Sequence, residues 1–331
     1  MSNAPRIFPA KERGAALLTV LLLVAVIAVL AAHGIDRLAG ATKLASNSRE
    51  LSQAKSYLIA AESIGMNAAE DIVSVSPGRT TNFGGWNGKE QSFPVPGGII
   101  NAALSDGGNC FNINGLVRGQ QEIWTANQQG VAQFARLMEL LDVPGGDAAD
   151  IAASVTDWID SDNIASPTGA EDQYYQQLEQ PYRTANALIS DVSEIRAVKG
   201  VTPQIFEALA PWLCALPEAA LSPININTLR PEQAILLAVL SNNGPDLVRT
   251  RQFLASRPAN GYADLNDFWA QPFVAGFEAT SEVQAQTKLT TRWFRLDMSV
   301  QMQSAYVAER ALVDAGRKPA RLVHRQRGDA L

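Results

Sequence analysis

Apolar residues are distributed along this chain in three different ways. Gly14 to Ile35 is continuous: Leu, Val, Ile and Ala fill it, and no Asp, Glu, Lys or Arg interrupts it between Arg13 and Asp36. A helix of that length spans about 30 Å, one hydrocarbon core, so the run predicts a membrane-spanning helix over 15–35. The pattern then becomes periodic. Leu51, Ala54, Leu58, Ala61, Ala68 and Ile72 recur at helical spacings with Ser52, Gln53, Lys55 and Glu62 between them, which predicts one apolar stripe on a helix running to about Val75. Ser76-Pro77-Gly78 ends it.

Residues 78–100 are rich in Gly, Pro, Asn and Thr and read as a loop. Ile99–Leu104 and Cys110–Leu116 read as short strands joined at Ser105-Asp106-Gly107-Gly108. From about 120 to 285 short helices are predicted at Val131–Leu141, Ala148–Ile159, Val192–Ala197, Pro203–Leu213, Pro231–Leu240, Asp246–Ser256 and Ala263–Trp269. At Trp293 the period changes to two. Trp293, Arg295, Asp297 and Ser299 alternate with Phe294, Leu296, Met298 and Val300, and further strand-like runs follow at Ala305–Leu312 and Ala320–Val323. A helix-plus-strands unit is thus split by a helical block, an α+β architecture with a large all-α domain inserted: first part 36–118, insert 119–285, second part 286–331.

The length of 331 residues allows two domains. A net charge of −6 argues against nucleic-acid binding, which needs clustered Lys and Arg. Two segments nonetheless look like helix-hairpin-helix elements, Glu194 to Leu213 and the one starting at Asn225. Their only nearby cations are Arg196 and Lys199 in the first and Arg230 in the second, and such hairpins also pack as pure structure. A membrane-anchored DNA receptor is therefore the second reading. An enzyme is the weakest. The two histidines, His33 and His324, suggest no nucleophile–base pair, and Gly84-Gly85-Trp86-Asn87-Gly88-Lys89 lacks the spacing and the Ser or Thr of a phosphate loop. The basic tail Arg317–Arg327 reads as solvated, or as the partner of an acidic neighbour.

The start of the chain is the most specific signal. Arg6-Ile-Phe-Pro-Ala-Lys-Glu-Arg-Gly14 puts a short basic segment ending in glycine directly before the apolar run. A secretory signal has its cleavage site after the apolar region. The order here resembles a type IV prepilin-like leader, residues 1–14. The resemblance implies cleavage between Gly14 and Ala15 by a prepilin peptidase and methylation of Ala15. Position five of the processed chain is then Thr19, where most pilin-like subunits carry a glutamate that neutralises a neighbour's amine. The missing glutamate and the inserted helical block together resemble the K-type minor pseudopilin of type II secretion systems. That implies a pilin-like fold and a single-pass protein of the inner membrane, its N-terminus cytoplasmic by the positive-inside rule and its body periplasmic. It also implies a non-enzymatic place at the pseudopilus tip with other minor pseudopilins, supporting export of folded proteins across the outer membrane. The stripe from Leu51 to Ile72 is the candidate partner-helix contact; the alternative is an amphipathic helix packed on its own domain, which a pilin-like fold also requires.

Two further sites follow. Between Arg136 and Arg183 there is no Lys or Arg but many carboxylates, densest at Asp157, Asp160, Asp162, Glu171 and Asp172. Carboxylates crowded at a helix C-terminus are unfavourable, and a hard cation such as calcium would relieve them. The loop is not an EF-hand, since Ile164 and Ala165 stand where that motif needs an oxygen ligand and a glycine. A solvated acidic loop is the alternative. The family resemblance implies calcium bound in the helical insert; from the acidic stretch itself, Asp160, Asp162, Glu171 and Asp172 are the candidate ligands and Asp157 and Asp191 further candidates, and zinc is disfavoured with no histidine nearby. Cys110 and Cys214 form a disulfide if the body is periplasmic, and are otherwise two buried thiols.

Overall fold

The structure, a computed structural model, describes residues 10–240, 246–277 and 279–328. Residues 1–9 of the expected leader, Arg6 among them, lie outside the described residues. Helix α1 runs unbroken from Ala10 to Val75. Its first half touches nothing else in the molecule, although its side chains are Leu, Val and Ile, and its most apolar window has a mean hydropathy of 3.0. Such a surface is stable in lipid rather than in water.

Past Leu51 the same helix gains a buried side. Ala54, Leu58 and Ala69 are fully buried, with Ala61 and Ile72 packed beside them, against a five-stranded antiparallel sheet. Its strands are β1 (Lys89–Val95), β2 (Gly98–Asp106), β3 (Trp293–Met302), β4 (Tyr306–Asp314) and β5 (Arg321–Arg327), in that spatial order. The period of two in β3 explains the layer: Phe294, Leu296, Met298, Val300 and Met302 face α1, and Arg295 and Asp297 face away. Two carboxylates of α1 also hold the sheet. Glu50 accepts from Ser304 N and Oγ at the β3–β4 turn, and Glu62 is paired with Arg325 of β5 at 2.7 Å.

Several expectations need correction. The segment 78–100 is not all loop. Lys89–Val95 is an edge strand pairing residue by residue with β2 through the Pro96-Gly97 turn, and it reads poorly because most of its side chains are exposed. Cys110–Leu116 is a strand only at Phe111–Asn112, after which Asn112 accepts from Asn114 N and starts a 3-10 turn over Ile113–Leu116. The tail is the partner of acidic neighbours rather than a free segment, although most of its side chains stay exposed. It forms β5, where Arg325 and Arg327 pair with the buried Glu309 and Arg325 also with Glu62.

Between β2 and β3 lies a mainly helical block with its own core. Helices α2 (Gln128–Leu140) and α3 (Gly145–Ile159) form its centre, and shorter helical pieces surround them. The runs expected at Pro203–Leu213 and Pro231–Leu240 each divide into an α-helical and a 3-10 piece. The block also holds extended pieces. One is a hairpin of Val117–Gln120 with Ile123–Ala126, whose two turn residues, Gln121 and Glu122, both have positive φ. Such a turn favours Asn-Gly, so these residues conceal it. Gly130 lets α2 approach the Ile113–Leu116 turn: a Cβ there would lie 2.1 Å from the Gly115 carbonyl oxygen. Gly130→Ala should therefore cost about 1–3 kcal/mol, read as a lower urea midpoint with an unchanged m-value.

The block is joined to the sheet in two ways. Cys110 and Cys214 form a disulfide, with Cα atoms 5.8 Å apart, beside the parallel bridge of Phe111–Asn112 with Leu213–Cys214. Next to it Asp106, the last residue of β2, is buried among Thr228, Thr291 and Asn109.

Candidate functional site and family

Helix α3 ends at Asp160, whose backbone turns extended, and the chain returns through Pro167 and Gly169 to Glu171. This reversal brings Asp160, Asp162 and Glu171 together, each offering an oxygen within 4.8 Å of the others. Asp160 and Glu171 are buried and Asp162 is exposed, so the group opens to solvent on one side. Asp160 Oδ1 and Glu171 Oε1 are buried and accept no hydrogen bond, and neither does the nearby Asn186 Oδ1. Buried acceptors without donors are costly, and a set of oxygens alone, with no sulfur or imidazole, suits a hard cation.

The other expected ligands do not join this group. Asp157 is fully buried, and its two oxygens accept from Ser166 N at 2.9 Å and Ser166 Oγ at 2.6 Å. Gly169 leaves room for that carboxylate, since a Cβ there would meet Asp157 Oδ2. Asp172 accepts from Thr184 N and Oγ1 at 3.0 Å. Asp191 caps the 3-10 helix Val192–Ala197 through Ser193 N. Their carboxylates shape the surrounding loops. Asn186 was not anticipated. It sits at a positive φ, and its Nδ2 donates to the Asp162 carbonyl.

Burial first, then the charges of Asp162, Asp157 and Glu171, pushes Asp160 up to about 7. Burial pushes Glu171 up to about 7 as well, against the opposing hydrogen bond from Thr184. In the ion-free protein the native state therefore keeps protons that the unfolded chain has released. This contribution to stability is fully present below about pH 4 and is lost as pH rises through about 7. In chelator, the stability of the wild type relative to an Asp160→Asn, Glu171→Gln variant should fall between pH 5 and pH 8. A flat difference in urea midpoints across that range would contradict the assignment.

The apolar stripe packs on its own domain and is not the partner-helix contact. Ala54 and Leu58 are fully buried, and Ala61 and Ile72 pack against the molecule's own sheet; Ala68 is half-buried, and only Leu51 is exposed. The stripe holds α1 to its sheet, and the large apolar residues of α1 left open beyond the membrane run are Leu38, Leu44, Leu51, Ile59, Ile64 and Val75. Gly14 and Ala15 lie in α1 with no contact to the rest of the molecule. Thr19 Oγ1 donates to the Ala16 carbonyl of its own helix at 2.9 Å. In the first hairpin-like segment, Lys199 Nζ donates to the Thr168 and Gly169 carbonyls, and Arg196 lies over the Phe206 ring. These cations are occupied within the fold.

Two family profiles, both described as type II secretion system (T2SS) protein K, match residues 109–218 and 224–292. The type II secretion system protein K of Pectobacterium carotovorum subsp. carotovorum is 33% identical over 320 residues, covering 96% of this chain and 97% of the relative. That of Klebsiella pneumoniae is 31% identical over 318 residues with the same coverage. Among solved structures, a chain of the GspK–GspI–GspJ complex from the enterotoxigenic Escherichia coli type 2 secretion system is similar with a TM-score of 0.73 at 28% identity, covering 86% of this chain and 98% of that one. Nothing in these similarities supports the nucleic-acid reading, and the apolar start of α1 fits a transmembrane anchor. The chain belongs to the type II secretion system protein K family and is a minor pseudopilin of type II secretion.

Proposed function

We propose that this minor pseudopilin caps the tip of the pseudopilus, in complex with two other minor pseudopilins. The observation that carries this is Thr19. No carboxylate lies between Glu12 and Asp36, and the Thr19 hydroxyl is already bonded to its own helix. A subunit without a charge at that position cannot neutralise the N-terminal amine of a subunit above it, so the position with no subunit above suits it. The bulk of the helical block, beside a sheet already packed on α1, adds to the same reading. The similar solved chain was crystallised with GspI and GspJ, which supports two partners of that kind. Their helices would meet α1 on its open side, at Leu38, Leu44, Ile59 and Ile64, since Ala54 and Leu58 are covered.

In this reading a prepilin peptidase cleaves after Gly14, Ala15 becomes the methylated N-terminus, and α1 crosses the inner membrane once with the body periplasmic. The role is structural, and no catalytic step is assigned. Native mass spectrometry of the complex purified with both partners should give one copy of each chain, this one beginning at methylated Ala15. A complex with several copies of this chain, or a chain starting at Met1, would contradict the proposal.

We further propose that Asp160, Asp162 and Glu171 bind calcium, with Asn186 beside them; the orphaned buried oxygens are the support. The ion would fasten the return loop 163–171 to the end of α3. A ligand bound only by the native state stabilises it by about 4 kcal/mol at about 1,000 times its dissociation constant. Millimolar calcium should raise the thermal midpoint of the wild type by several degrees and leave an Asp160→Asn, Glu171→Gln variant unmoved. An equal rise in both would locate the ion elsewhere.

A further inference from the structure

The two edges of the five-stranded sheet are built differently. β1 contains Pro94, which has no N–H, and carries Lys89 and Glu90 of opposite sign at its start. Proline and mixed charge are the usual guards of an open edge. β5 contains no proline, and among the described residues its outer edge pairs with no other strand. Its side chains divide by face. Arg325 and Arg327 turn to the α1 side, where Glu62 and Glu309 hold them. His324 and Gln326, on the other face, line a cleft of about 350 Å³ between the sheet and the helical block. The block's wall of this cleft presents Phe206, Trp212 and Leu213, with Arg230 and the carboxylates of Asp191 and Glu232 beside them.

Charge around this edge is reversed relative to the rest of the molecule. Between Asp314 and Asp329 there is no carboxylate side chain; Arg325 and Arg327 are matched by Glu309 and Glu62, which leaves Arg317, Lys318 and Arg321 as the basic residues of this stretch outside those pairs, in a chain of net charge −6. Arg230, on the cleft wall, and Arg321, at the start of β5, form no salt bridge among the described residues. An open strand edge offers alternate N–H and C=O groups to an incoming extended segment, and the pockets beside it select alternate side chains. A cleft of this volume is at the lower end of the range of ligand sites, about 300–1,000 Å³.

We propose that the edge of β5 and the adjoining cleft form a docking site for an extended acidic segment of another protein. The segment adds to β5 as a further strand, places apolar side chains against Trp212 and Leu213, and brings carboxylates toward Arg230 and Arg321.

The test uses the full chain in detergent micelles and two fluorescein-labelled peptides of alternating sequence, one glutamate–valine and one lysine–valine. The glutamate peptide should bind, slow hydrogen exchange at the amides of β5, and bind at least about tenfold more tightly than the lysine peptide. Arg230→Glu and Arg321→Glu, each checked for an unchanged circular dichroism spectrum, should each weaken it by about tenfold. Equal binding of the two peptides, no binding up to about 1 mM, protection away from β5, or a dimer that occupies the edge with a second copy would each overturn the proposal.

Discussion

Asp106→Ala is expected to cost about 3–5 kcal/mol of stability, enough to leave much of the protein unfolded at 37 °C if its total stability is ordinary. The carboxylate stands where β2 ends and the helical block begins. It accepts from Thr228 Oγ1 at 2.5 Å, from Thr291 Oγ1, from Gly108 N at 2.9 Å and from Asn109 N at 3.3 Å. Those donors belong to three separated stretches of the chain, and Asn109 and Asn225 bind each other and Thr228 around them. Burial pushes the Asp106 carboxyl up, against these four hydrogen bonds. Truncation would leave several buried donors without an acceptor, the costly case. Asp106→Asn keeps one acceptor for the two backbone amides and should cost less, about 1–2 kcal/mol. Urea unfolding of the three proteins gives the order wild type, Asn, Ala. An alanine variant within about 1 kcal/mol of wild type would show that the buried group does not hold the block to the sheet.

Loss of the disulfide is expected to be comparably severe. Cys110 and Cys214 are 104 residues apart in sequence, and for a loop of that size the chain-entropy estimate is about 4–5 kcal/mol. The Cys110→Ser, Cys214→Ser variant should show a correspondingly lower urea midpoint, and reductant should bring the wild type to the same value. Because Asp106 and the disulfide secure the same junction, their effects should not add. Asp106→Ala in the serine background should cost less than in the wild type. Full additivity would mean that the two fasten independent parts.

The sequence reads most clearly where a feature is local. A charge-free run, a helical stripe and a strand with period two each need only neighbours in sequence, and α1 and β3 follow from them. β1 is hidden because an edge strand exposed on most of its length has no apolar alternation to display. The Asp106 cluster is hidden for a different reason: Asn, Thr and Asp spread between positions 106 and 291 carry no local signature. The stripe on α1 shows another limit. Leu58 and Ala54 announce a buried face, but whether that face meets its own sheet or a second protein depends on tertiary structure.

The acidic stretch was legible as a region and only partly as a set of residues. Asp160, Asp162 and Glu171 meet because the chain reverses after α3. Asp157, one turn earlier, faces inward onto Ser166, and Asp191 lies beyond the loop as a helix cap. Asn186 is not legible in the sequence, because a neutral amide beyond the acidic stretch is not grouped with its carboxylates until the fold places it there.

The place of this subunit in its filament can be seen directly. An epitope-tagged form of this chain, expressed with the major pseudopilin at levels that lengthen the pseudopilus, can be located by immunogold electron microscopy on sheared filaments. Gold at one end of each filament is the predicted result. Gold spaced along the filament length would contradict it.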